Sequence, residues 1–168
     1  MVTLRGVTGN HTRAETERAV RDRLGTSAPH RTRAVANLHR AAAAVRLHLE
    51  NTVLREPDLT WTAFTVLRVV WIWGEMETRH VAAEAGISKG TLTGVVKTLE
   101  ARGLVRRTRH ATDRRLVLLS LTARGEGLMS RLYPEFTAAE ELVTRCLATA
   151  DCRNLADLLG KLTKQVGG

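Results

Sequence analysis

Apolar positions recur at helical spacing along most of the chain. Between residues 31 and 54, Val35, Leu38, Ala42, Val45 and Leu49 step by three, four, three and four, which predicts a long helix with a heptad-like seam. Pro57 ends it, because the residue ahead of a proline is pushed out of helical geometry. Thr60 then caps a helix over 61–73 whose Phe64, Leu67, Val70 and Trp71 face inward, and Gly74 closes it. Toward the amino terminus the pattern thins. Thr12-Arg13-Ala14-Glu15 has the form of a capping box and Gly25 would stop the helix it starts, but only Ala19, Val20 and Leu24 make an apolar face. Residues 1–30 are therefore expected to be an arm or a short extra helix.

The segment 81–121 breaks this long-helix rhythm. Residues 81–88 read as a short apolar-faced helix closed by Gly86, which can adopt the left-handed conformation that ends helices. Ser88 caps a second helix reaching about Arg102, with Leu92, Val95, Val96 and Leu99 inward and Lys89, Thr91, Thr93, Gly94 and Lys97 outside. Gly103 opens a hairpin of 104–108, a turn through His110 to Asp113, and 116–121, with basic residues crowding its tip. Thr122 starts a helix to roughly Ala148 carrying Leu128, Leu132, Phe136, Leu142, Val143 and Leu147, and a last helix shows Leu155, Leu158, Leu159, Leu162 and Val166. The fold expected is mainly α with a small β wing, a winged helix-turn-helix set between long helices. Its order is helix, helix, strand, helix, helix, two strands, helix, helix.

Charge sharpens that expectation. The formal net charge is +9, and residues 79–124 hold ten Lys or Arg against Glu84, Glu100 and Asp113, a net of +7, while the rest is close to neutral. Cations concentrated on the element that would dock are what phosphate neutralisation requires. A polar helix face of this kind fits a major groove. Ser88, Lys89, Gly90, Thr91, Thr93 and Lys97 are the candidates there, and the wing arginines Arg107, Arg109, Arg114 and Arg115 are candidates for backbone and minor groove. The long apolar seams exceed what one 168-residue chain can bury. A second copy is the simplest partner, since two-fold symmetry matches a palindromic site. Residues 31–57 and 123–168 would then be the helical dimerisation region, and 58–122 the DNA-binding domain.

Other chemistry finds little support. No run reaches the ~18 apolar residues of a membrane span, and residues 1–13 carry no secretory apolar segment, so a cytoplasmic location is expected. Two cysteines are too few for a disulfide framework. Cys146 is expected in the core, whereas Cys152 would lie in a first helical turn beside Arg153, where the dipole and the cation favour a thiolate. Redox sensing through Cys152 stays an alternative. The six histidines, His11, His30, His39, His48, His80 and His110, form no pair at i, i+4 and have no nearby cysteine, so no metal or other cofactor is expected. Neither a nucleophile with its base nor a glycine-rich phosphate loop is present, which argues against an enzyme.

The Leu59-Thr60-Trp61 helix entry, Ala82-Ala83-Glu84-Ala85-Gly86-Ile87-Ser88, Leu99-Glu100-Ala101-Arg102-Gly103-Leu104-Val105, and Asp113-Arg114-Arg115 followed by Leu119-Ser120-Leu121-Thr122 together resemble the MarR family of bacterial transcription regulators. The resemblance spans about residues 31–166. It implies a homodimer built from first and last helices, and repression of a palindromic operator relieved by a small ligand or an oxidant. The family's Asp-x-Arg wing motif lands on Asp113 and Arg115. By that resemblance Arg115 reaches the minor groove and Asp113 orients an arginine, with Arg114 facing phosphate. A pocket where the first, second and fifth helices of the family fold meet would be lined by His39, Arg46, Trp61 and Tyr133, and an arginine there suits a carboxylate or phenolate. The competing reading makes Trp61 and Tyr133 packing residues and Arg46 a surface charge. Two positions depart from the family pattern. Gly90 stands where many relatives have proline or a bulkier residue, at a cost of up to about 1 kcal/mol relative to alanine. Cys152 replaces a capping acid and leaves Thr149 without a reciprocal partner. A winged-helix protein-interaction module is the remaining alternative.

Overall fold

A computed structural model describes residues 13–24, 29–110, 112–113 and 115–167. The elements run α1 (Arg13–Leu24), α2 (Pro29–Leu49), a π-helical segment (Glu50–Leu54), α3 (Trp61–Trp73), β1 (Met76–Glu77), α4 (Thr78–Glu84), α5 (Lys89–Ala101), β2 (Val105–Arg109), β3 (Val117–Leu121), α6 (Ala123–Thr144) and α7 (Thr149–Gly167). The chain divides after Ala44 into two units.

In the amino-terminal unit, Arg13–Leu24 form the helix α1. Ala19 of its thin apolar face is exposed, and the Thr12 and Gly25 end signals lie outside the described residues. On α2, Val35 is exposed and Leu38 half-buried.

The second unit is built around α3, whose Phe64, Val66, Leu67 and Val70 are almost wholly excluded from solvent. One helix to residue 54 was the expectation, but α2 stops at Leu49 and widens into the π-helical segment. The wider turn places the consecutive residues Val53 and Leu54 in the core. On the other side, Phe136 of α6 stacks on Phe64 with ring centroids 4.4 Å apart. Leu92, Val96 and Leu99 of α5 are buried as their spacing predicts, and Val95 is half-buried. The sheet is antiparallel in the order β1-β3-β2, with Val105 opposite Leu121 and Arg109 opposite Val117. At its base, Gly125 in the first turn of α6 leaves room for the Leu104 carbonyl. A Cβ built on Gly125 would stand 2.1 Å from that oxygen.

The carboxy-terminal end differs from expectation. The helix that should reach about Ala148 ends at Thr144, whose hydroxyl donates to the Glu140 carbonyl at 2.9 Å, and Leu147 closes a turn onto the Thr144 carbonyl. Cys146 lies in that turn and is exposed, not in the core. The next helix is capped one residue earlier than the sequence suggests, because the Ala148 carbonyl accepts from the Cys152 N–H at 3.0 Å and Thr149 is already helical. Cys152 does occupy a first turn and is half-buried. Leu142, Leu155, Leu158, Leu162 and Val166 are exposed. Among the described residues, no helix is long and apolar enough to cross a membrane.

Candidate nucleic-acid interface

The helix-turn-helix forms as the residue types require. Gly86 takes φ +64° between α4 and α5, and Ile87 donates back to the Ala82 carbonyl at 3.0 Å, closing the turn. Ser88 caps α5, its Oγ accepting from the Thr91 N–H at 3.0 Å and lying 2.8 Å from the Thr91 hydroxyl. With Leu92, Val96 and Leu99 committed to the core, Lys89, Gly90, Thr91, Thr93, Gly94 and Lys97 are left exposed on the outer face. A Cβ on Gly90 would meet only Ser88 Oγ, at 3.8 Å, so nothing inside the chain requires a glycine there.

The wing approaches this face from the side. Asp113 Oδ1 accepts from the Arg115 backbone N–H at 2.9 Å, and Leu116 donates to the Asp113 carbonyl at 3.0 Å. Asp113 thus fixes the main chain that presents Arg115. His110 works from the other side of the turn: its Nδ1 lies 3.0 Å from the Thr112 hydroxyl, and its backbone N–H donates to the Leu116 carbonyl. Arg114 lies outside the described residues. Arg109 is exposed on β2, two residues from Arg107 and so on the same side of the strand.

Between α4, α5 and the wing runs an open groove of about 400 Å³. Arg79, Lys89, Arg107 and Arg115 line it around a floor that includes Leu92 and Val96, with Thr93 at its edge. Four of the groove's lining residues are therefore cationic, drawn from α4, α5 and the wing, against one acid, Glu77. Their charge is not wholly free. Arg79 Nε is 2.7 Å from Glu77 Oε2, and Arg107 forms an ion pair with Glu100. Glu100 sits in the last turn of α5. Its side-chain hydrogen bond from Arg107 holds the carboxyl below its ordinary value, against a smaller opposing effect of burial, and keeps Arg107 more firmly protonated.

Arg102 secures the far end of α5. Its guanidinium donates to the carbonyls of Asp58 and Pro57, each at 2.6 Å, and so ties the end of the helix to the turn entering α3. Asp58 there has φ +50°. From the sequence, Arg79 counts only as a charge, Glu100 and Arg102 as charges within the family motif, and His110 as the start of the hairpin turn; none of their bonding partners is indicated. The signal available was local: each lies within a few residues of the turn or strand it fixes, except Arg102, whose partners are more than forty residues away.

The residues considered for an effector pocket are distributed differently. Trp61 packs against Phe136 and Phe64 at 6.0 and 6.4 Å, and Tyr133 against Trp71 at 4.9 Å. Arg46 pairs with Glu50 at 3.1 Å. His39 belongs to the amino-terminal unit, where it lines a shallow depression with Arg31 and Val35.

A basic helix-turn-helix joined to an arginine-bearing hairpin defines a winged-helix transcription regulator, and known proteins of that class match this chain. The MarR family pattern matches residues 59–117. The HTH-type transcriptional regulator YwaE of Bacillus subtilis (strain 168) is 39% identical over 126 residues, covering 75% of this chain and 74% of its own. Among solved structures, NadR, crystallised in complex with 4-hydroxyphenylacetate, is 29% identical with a TM-score of 0.66, covering 77% of this chain and 91% of its own. BpsR of Bordetella bronchiseptica, whose DNA binding is regulated by 6-hydroxynicotinic acid, is 26% identical with a TM-score of 0.72, covering 77% and 98%. The chain belongs to the MarR family of transcription regulators, and it is not an enzyme.

Proposed function

We propose that the chain is a cytoplasmic, homodimeric repressor that reads a palindromic operator and is released by a small anionic aromatic ligand. The observation that carries DNA reading is the convergence of α5's exposed polar face and the wing's Arg115 on one cation-lined groove. Ser88, Lys89, Gly90, Thr91, Thr93 and Lys97 meet base edges and phosphates in the major groove, while Arg109 and Arg115 hold backbone and minor groove. Arg114 and Arg107 add to the wing's positive field. Gly90 leaves space on this face, which suits close approach to a sugar-phosphate backbone.

Dimerisation is supported by the exposed leucines of α7, Leu158 and Leu162 among them. The ligand class is supported by the two relatives named above, whose compounds are both hydroxylated aromatic acids. Arg46, Trp61 and Tyr133, all of the second unit, are the residues proposed to hold such a ligand, with Arg46 exchanging Glu50 for the ligand's carboxylate.

Arg115→Ala tests the reading. The substitution is expected to weaken binding to a duplex that the wild-type chain selects from a random pool, and to lower the slope of log affinity against log salt by about one unit. Unchanged affinity and slope would remove Arg115, and with it the wing, from the interface.

A further inference from the structure

One carboxylate joins the wing to the recognition helix. Glu100 Oε1 accepts from the Arg107 backbone N–H at 3.3 Å, Oε2 accepts from Arg107 Nε at 2.9 Å, and the same oxygen takes a further hydrogen bond from the terminal guanidinium nitrogen. The pair is therefore fixed at both main chain and side chain of β2. Elsewhere β2 has a ladder on one side only, because the strand order β1-β3-β2 leaves it at the edge of the sheet. Two residues beyond Arg107, Arg109 pairs with Val117, where the hairpin runs out into the turn that presents Arg115. Restraint at Arg107 is thus restraint close to the root of the lever that ends in Arg115.

Charge alone would not put an acid here. Glu100 is one of three acids in a stretch with ten bases, and its partner lines the cationic groove. A carboxylate beside that groove repels phosphate, so by Coulomb's law removing it should strengthen DNA binding. The side chains of Arg107 and Glu100 are 43% and 30% exposed, and an ion pair so open to solvent contributes little to global stability. What the arrangement does supply is order. A segment held in its bound orientation before contact loses less freedom on binding.

We propose that Glu100 is a positioning residue for DNA recognition: through Arg107 it sets the tilt of the wing relative to α5, so that Arg115 reaches DNA at the same time as the recognition helix. This rests on the reading of the wing as a DNA contact. The consequence is a sign opposite to that of electrostatics, since deleting a negative charge from the interface weakens binding.

The test uses the full-length chain and a duplex selected from a random pool by the wild-type protein. Glu100→Ala is expected to weaken binding by about two- to tenfold, the range set by ordering a few side chains at an interface. The salt dependence becomes shallower, and thermal stability stays near wild type. Glu100→Gln makes the same change of charge but keeps an oxygen that accepts from Arg107, and its affinity falls between those of alanine and wild type. In an Arg107→Met background the weakening by Glu100→Ala disappears, because no brace is left to break. Tighter or unchanged binding by both Glu100 variants overturns the proposal, as does an equal loss in the Arg107→Met background. The underlying reading fails separately, if Arg115→Ala leaves affinity and salt slope untouched while wild type still selects a sequence.

Discussion

A methyl group at Gly125 would stand 2.1 Å from the Leu104 carbonyl oxygen, a contact with backbone and not with a side chain that could rotate away. The first turn of α6 and the start of β2 must therefore separate if any side chain is added. Gly125→Ala is expected to cost about 2–3 kcal/mol, read as a lower urea midpoint with the m-value unchanged. A neutral result would mean that the two segments are not packed as described. Gly90 is the contrasting case. A Cβ there would make only an ordinary contact with Ser88 Oγ, so nothing within the chain calls for glycine, whereas Gly125 is required from within. Neither role is legible in the sequence, because a glycine in a helical turn looks the same whether the missing Cβ faces a carbonyl or solvent.

At the scale of elements, α5 is held at three points along its length. Ser88 caps its start, Glu100 reaches the wing from its last turn, and Arg102 reaches the turn entering α3. Between them the buried stripe of Leu92, Val96 and Leu99 sets its rotation. Ser88→Ala removes the acceptor for the Thr91 N–H and is expected to cost about 1 kcal/mol of stability by chemical denaturation. Its effect on DNA binding should exceed that figure, since the same turn carries Lys89 and Thr91; a loss of binding no greater than the loss of folding would place Ser88 outside the interface. The cap, the inward stripe and the Gly86 turn were all readable, because each depends on residues at most four apart. The end of α6 was not. Apolar spacing carries through Leu142, Val143 and Leu147, but the helix stops at Thr144 and the chain turns, Leu147 donating back to the Thr144 carbonyl. Cys146 lies in that turn and so leaves the core. The π-helical widening at Glu50–Leu54 was hidden too, since the seam of α2 is continuous up to Leu49 and the sequence beyond it gives no sign of the extra residue per turn.

At the scale of the whole molecule, charge and apolar surface are segregated. Residues 79–124 carry a net of +7 of the chain's +9, while α7 presents Leu155, Leu158, Leu162 and Val166 to solvent along one stripe. Both features were visible in the sequence, since each depends on composition within a short window. The convergence of Arg79, Lys89, Arg107 and Arg115 on one groove was not, because it needs α4, α5 and the wing to be assembled. A stripe like that of α7 is stable in water once covered, and in the proposed dimer a second copy would cover it about a two-fold axis that would also relate two recognition helices. The axis gives the central claim its most direct test, which is repeated selection of duplexes from a random pool by the full-length chain. The expected result is an inverted repeat whose half-sites lie about one helical turn, ~10 base pairs, apart, lost when Leu158→Glu and Leu162→Glu together make the chain monomeric in sedimentation. Enrichment of no sequence, or of a single half-site bound equally well by the monomeric variant, would contradict it.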